Sequence, residues 1–156
     1  MRSPLKYLVI HCTGTKPGRE VSSDEIRHWH TSPEAKGGRG WKQVGYTDMI
    51  HLDGRVERLV ENNEDSYVDG WEKTNGAKGY NGMSRHIVYV GGVDANDVKK
   101  ACDTRTDAQK EAMKRYVVDF HRRFPSVKIV GHYQLDRHKS CPSFDVPKWL
   151  NEIFQR

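Results

Sequence analysis

The sequence predicts an α/β fold: a single domain, 1–156, with a mixed central β-sheet flanked by helices. Short β-branched apolar runs, such as Leu8-Val9-Ile10 and Ile87-Val88, alternate with longer segments whose apolar residues recur every three or four positions. A chain of 156 residues is long enough for one domain with a real core. No internal repeat and no linker-like change of composition divides it.

Leu5 to Cys12 is a β-rich apolar run and predicts a buried strand. Thr13 to Val21 carries two Gly and one Pro and predicts a loop. Ser22 followed three residues later by Glu25 is a capping-box signature, so a helix is expected from there to about His30, with Ile26, Trp29 and His30 on one face. Gly37-Gly38-Arg39-Gly40 interrupts the chain. Tyr46 to Leu52 predicts a strand, Asp53-Gly54 a tight turn, and Arg55 to Val60 the partner strand. Residues 61–82 are polar and rich in Gly and Asn, and predict a long loop insertion. A loop of that length is usually functional or inserted, so Tyr67 and Trp71 read either as a flap over a substrate or as a packed surface insertion. His86 to Gly91 predicts another strand. Thr106 with Gln109 caps a helix expected to reach about Phe124, with Ala112, Tyr116, Val117, Phe120 and Phe124 as its apolar stripe and Pro125 as its stop. Val127 to Val130 predicts a short buried strand ending at Gly131-His132. Asp145 caps a last helix whose Trp149, Leu150 and Ile153 face inward.

Composition narrows the function classes. The 26 Lys and Arg outnumber the 21 Asp and Glu, for a net charge of +5. Such a charge favours anionic partners, nucleic acid or an acidic cell wall among them. The basic residues are scattered and no zinc-finger or aromatic RNP segment occurs, so nucleic acid is not the expected main partner. No apolar run approaches the ~20 residues of a bilayer span, and no membrane partner is expected. Met1-Arg2-Ser3-Pro4 leads directly into a strand-like segment without the features of a signal peptide. The expectation is synthesis in a cytoplasm, with action on a wall only after release or export. Three cysteines, Cys12, Cys102 and Cys141, argue against a disulfide scaffold.

His11 ends one predicted strand and His132 another, and strand ends in α/β folds converge on one edge where sites form. Cys141 follows His132 by a loop long enough to fold back on the same point. Two imidazoles and one thiolate suit Zn²⁺ and leave a fourth position for water, whose pKa zinc lowers to about 7. Spacing alone fits other readings equally: a hydrogen-bonded structural histidine at a strand end and a buried thiol before a proline.

At these residues the sequence resembles the zinc-dependent N-acetylmuramoyl-L-alanine amidases of the type-2 amidase family, which share their fold with peptidoglycan recognition proteins. The resemblance is carried by Val9-Ile10-His11-Cys12-Thr13, Glu25-Ile26-Arg27-His28-Trp29-His30, Val44-Gly45-Tyr46, Asp53-Gly54-Arg55-Val56-Glu57, Ala77-Lys78-Gly79-Tyr80-Asn81, Gly91-Gly92-Val93-Asp94 and Lys139-Ser140-Cys141-Pro142-Ser143-Phe144-Asp145. These stretches follow the family's order from about residue 5 to 150. The resemblance implies a zinc cofactor on His11, His132 and Cys141, with Tyr46 and Lys139 as catalytic partners. It implies hydrolysis of the amide between N-acetylmuramic acid and L-alanine, with peptidoglycan as the partner. A non-catalytic peptidoglycan-binding module of the same fold is the alternative, and a cysteine hydrolase built on Cys141 is a third. Pro142 directly after Cys141 counts against that third reading.

The sequence also departs from the family pattern. Thr47 and Asp48 stand where many relatives carry His after Gly-Tyr. Gly76 stands where many carry His before Ala-Lys-Gly-Tyr-Asn. Asn-x-x-Ser-Ile-Gly becomes Asn81-Gly82-Met83-Ser84-Arg85-His86. These changes are expected to cluster in the substrate groove. His28, His30, His51, His86 and His121 are expected to have no metal role, and His138 to be a candidate lining residue.

Overall fold

The computed structural model describes residues 2–156, and Met1 lies outside the described residues. The predicted first strand lies inside the main sheet. Strand β2 (Tyr7–Cys12) pairs in parallel with both β6 (Ser84–Tyr89) and β7 (Lys128–Gly131). Its Leu8, Val9 and Ile10 are wholly buried, as a strand covered on both faces requires. Strand β3 (Asp48–Ile50) pairs in parallel with β6 and antiparallel with β4 (Val56–Arg58), giving the order β4-β3-β6-β2-β7. The sheet is therefore mixed, as expected. The turn between β3 and β4 needs a glycine: Gly54 has φ +87°, and a Cβ there would lie 2.7 Å from the Ala108 carbonyl oxygen.

Helices cover both faces. In α1 (Ser23–Thr31) the Ser22 hydroxyl accepts from the Glu25 amide at 3.1 Å, and the Glu25 carboxylate accepts from the Ser22 amide at 2.9 Å. In α2 (Asp107–Arg123) Thr106 and Gln109 make the same reciprocal pair. Helix α2 and the last helix, α4 (Val146–Phe154), press Met113, Val117, Phe120, Trp149 and Leu150 against Leu8, Ile10, Ile87 and Tyr89. Ile26 of α1 packs on the opposite face with Val21, Val44, Met49, Val88 and Val90. Period-two alternation along β2 and β6 assigns these residues to the two faces. A one-turn helix, α3 (His132–Leu135), directly follows β7, where the sequence pattern shows none. Among the described residues, no helix is long and apolar enough to cross a membrane.

Two expectations need correction. The first strand and the two hairpin strands are shorter than predicted, because Leu5 and Tyr46 lie outside the ladders that the apolar runs suggest, while β6 keeps its predicted length but begins two residues earlier, at Ser84, and β7 is shifted by one residue. Residues 61–82 are also not a plain loop. Strand β5 (Tyr67–Asp69) pairs antiparallel with β1 (Arg2–Pro4), and 3-10 turns span Gly70–Glu72 and Asn81–Met83. Arg85 of β6 ties this segment down. Its guanidinium donates to the Tyr67 carbonyl at 3.1 Å and lies 3.7 Å from both Asp65 and Glu72. Glu72, itself buried, accepts the amides of Asn63 and Asp69. Charges buried this deeply persist only when paired and hydrogen-bonded. Tyr67 packs under the Arg2 guanidinium, and Trp71 is 57% exposed; neither lines the groove, so of the two readings the segment fits a surface insertion.

Candidate metal centre

Pairing register brings the site together. Ile10 lies opposite Gly131, so His11 and His132 extend side by side from the ends of β2 and β7, with ring centroids 4.7 Å apart. The loop carrying Cys141 is anchored at several points. The Tyr133 amide donates to the Cys141 carbonyl at 3.0 Å, the Tyr89 hydroxyl to the Pro142 carbonyl at 2.6 Å, and the Ser143 hydroxyl to the Gly92 carbonyl at 2.7 Å. Gly92 has φ +107°, and a Cβ there would meet the Cys12 sulfur at 2.4 Å; only glycine lets the two loops approach so closely.

His11, His132 and Cys141 each offer a donor atom, and these atoms lie within 4.8 Å of one another. The Cys141 sulfur is 3.7 Å from His11 Nδ1. A tetrahedral ion with bonds of roughly 2.0–2.3 Å needs donors about 3.3–3.6 Å apart, so small adjustments close the set. The trio can hold a metal ion. Burial lowers the pKa of His11 well below the ordinary imidazole value, with His86, His132 and His30 adding to the effect. Burial, and then the Lys139 charge, lower that of His132. Both rings therefore stay neutral and keep a lone pair for a cation. A hydrogen bond with Cys12, followed by burial, pushes the Cys141 thiol up. A thiolate there requires adjacent positive charge, which a metal brings. The Cys12 amide, 3.2 Å from the Cys141 sulfur, is placed to donate to it.

The trio lies in a groove of about 1230 Å³. That exceeds the roughly 300–1,000 Å³ of ordinary small-molecule pockets and suits an extended ligand. Arg39, Lys42, Lys73, Lys78, Lys99 and Lys139 line it, and none of them forms an ion pair among the described residues. Tyr46 lines the groove with its ring centroid 5.1 Å from that of His11. Lys139 is exposed on the Cys141 loop, and His138 also lines the groove.

The departures from the family pattern do not all fall in the groove. Gly76 lines it, but Thr47 and Arg85 face inward, Thr47 donating its amide to the His86 carbonyl at 2.8 Å. Two histidines without an expected role belong to the site's frame. His86 is wholly buried, with Nδ1 2.8 Å from His11 Nε2. His30 accepts the Gly45 amide at 2.9 Å and packs its ring 5.2 Å from Tyr46. The amphipathic pattern of α1 placed His30 inward, but nothing local in the sequence signalled His86. His51 sits between Glu20 and Glu57, at 3.0 and 2.8 Å, away from the groove.

A family model described as N-acetylmuramoyl-L-alanine amidase (Amidase_2) matches residues 1–144. An endolysin of Klebsiella phage KP32 is 32% identical over 149 residues, covering 95% of this chain and 87% of the relative. Among solved structures, the Ph2119 endolysin of a Thermus scotoductus bacteriophage superposes with TM-score 0.71 at 22% identity, covering 97% of this chain and 85% of the other. A complex of the ectodomains of peptidoglycan recognition proteins LCa and LCx with tracheal cytotoxin superposes with TM-score 0.67 at 21% identity, covering 96% and 82%. These structural likenesses are likenesses of fold. The family model and the phage relative go further, and with them this chain belongs to the N-acetylmuramoyl-L-alanine amidase family, hydrolases of an amide bond in peptidoglycan.

Proposed function

We propose that this chain cleaves the amide between N-acetylmuramic acid and L-alanine with a zinc ion held by His11, His132 and Cys141, and with Tyr46 and Lys139 acting on the reacting carbonyl. The observation that carries this reading is the convergence of two neutral imidazoles and one cysteine in a basic groove of an amidase-family chain. A mixed nitrogen and sulfur donor set favours zinc over magnesium or calcium, which prefer oxygen. Bound there, zinc supplies Lewis-acid polarisation of the amide carbonyl and lowers the pKa of water to about 7.

The chain's own residues complete the chemistry. Burial, and then the Cys141 and Cys12 charges, raise the pKa of Tyr46, so its hydroxyl remains protonated. It serves as a hydrogen-bond donor to the oxygen that becomes negative when the carbonyl is attacked. The Lys139 ammonium, close enough to depress His132, stabilises the same charge. The six unpaired cations of the groove suit a substrate bearing peptide carboxylates. The complete trio opposes a purely binding role. The endolysin name of the phage relative supports action on the cell wall after release, as a lysin.

The test is mass spectrometry of muropeptides after digestion of purified peptidoglycan, with and without chelator. The expected result is free stem peptide with a new L-alanine amino terminus, abolished by chelation and restored by Zn²⁺. New reducing sugar ends without free L-alanine amino groups would instead indicate a glycosidase.

A further inference from the structure

We infer that Asn81 and His86 form a hydrogen-bond relay that fixes the tautomer of His11 and so aims its Nδ1 lone pair at the metal; this rests on the zinc reading above. The relay begins at a backbone amide. Ala77 N–H donates to Asn81 Oδ1 at 2.8 Å, which identifies that atom as the carbonyl oxygen and an acceptor. His86 Nε2 lies 3.0 Å from the same oxygen and must therefore carry a proton. His86 is wholly buried, and its side-chain partners are Asn81 and His11, with no carboxylate among them. A neutral ring protonated at Nε2 has a bare Nδ1. That Nδ1 lies 2.8 Å from His11 Nε2, so His11 donates from Nε2 and keeps Nδ1 bare. His11 Nδ1 is the atom that faces the Cys141 sulfur, at 3.7 Å. Each proton position follows from the one before it, and the chain of donors ends at the metal-facing atom.

Strand register supplies the geometry. Val9 pairs with His86 and His11 with Val88, so His11 and His86 project from adjacent strands on one face of the sheet. Gly76 supplies the space: a Cβ there would fall 2.5 Å from His86 Nδ1 and 2.8 Å from the Gly45 carbonyl oxygen. The ring at 86 fits because position 76 carries no side chain. His86 is a positioning residue. Histidine ligands commonly need such an acceptor on the far ring nitrogen, and losing it typically costs about 10–100-fold in metal affinity.

The experiment is Zn²⁺ affinity, measured by competition with a chromophoric chelator, for the full chain and for His86→Leu and His86→Gln. Long-range ¹H–¹⁵N NMR of the histidine rings of the unsubstituted chain accompanies it. His86→Leu is expected to weaken Zn²⁺ binding about 10–100-fold. His86→Gln, whose carbonyl can accept from His11, is expected to recover most of it. The spectrum is expected to show His11 and His86 both protonated at Nε2. A His86→Leu chain that binds Zn²⁺ as tightly as the unsubstituted one, or a spectrum with His86 protonated at Nδ1, overturns the relay. An unsubstituted chain that takes up no Zn²⁺ defeats the zinc reading instead. The tautomer spectrum then still decides the relay, as it does if His86→Leu fails to fold.

Discussion

Tyr46 and Lys139 meet the His11, His132 and Cys141 trio under contrasting conditions. The tyrosine is packed against His11, whereas the lysine is solvated on a loop. Burial keeps the tyrosine hydroxyl protonated, and in the proposed mechanism the exposed lysine adds positive charge beside it. Lys139→Ala is expected to lower kcat on purified muropeptides about 10²–10³-fold, as loss of one oxyanion donor does, with zinc content unchanged. Tyr46→Phe removes one hydroxyl and is expected to lower kcat to a similar degree. Chromatographic release of stem peptide, with metal analysis of each variant, checks both. Retained turnover in Lys139→Ala would remove that residue from the chemistry. At this scale the sequence was informative about identity. His11, His132, Cys141, Tyr46 and Lys139 were all named from ordered motifs, and all line one groove. His86 and His30 were legible only as histidines, because what they touch depends on neighbours far along the chain.

Among the elements, the segment 61–82 shows most clearly how one side chain organises a region. Its β5 strand and its turns gather around Arg85, whose side chain is 6% exposed between Asp65 and Glu72. Arg85→Leu leaves Glu72 buried without its cation, a change expected to cost about 3–5 kcal/mol. Urea denaturation would measure it. Amide hydrogen exchange is expected to speed up in β5 while α2 stays protected until global unfolding. Unchanged stability would show that Glu72 is satisfied by the amides of Asn63 and Asp69 alone. Helix starts were readable because a capping box is local, and Ser22 with Glu25 and Thr106 with Gln109 form as expected. Strand lengths were less readable. Tyr46 reads as strand by propensity but is drawn to His11 and His30 instead.

For the whole molecule, the buried histidines make stability depend on pH. Burial lowers the pKa of His30 to about 4, with help from Arg39, and that of His86 to about 3, with help from His132. In the unfolded chain both titrate near 6.5. Between those values the unfolded chain binds protons that the folded one refuses, so stability is full above pH 6.5 and falls as pH drops toward 4. Each histidine contributes a slope of about 1.4 kcal/mol per pH unit in that window. Urea midpoints taken from pH 7 to pH 5, with chelator present, are expected to fall steadily; a flat profile would mean that the rings are protonated without unfolding. The fold class was determined by the sequence itself, because apolar periodicity and caps are written within short stretches of chain; motif order there also proposed His11, His132 and Cys141, whose donor atoms the fold brings within 4.8 Å of one another. Only the tertiary structure decided that the departures at Thr47 and Arg85 point inward, that Tyr67–Asp69 joins Arg2–Pro4 in a second small sheet, and that His86 backs His11. That last contact joins residues 75 apart in sequence. It exists because β2 and β6 pair in one register, and register is a property of the assembled sheet that no single stretch of chain contains.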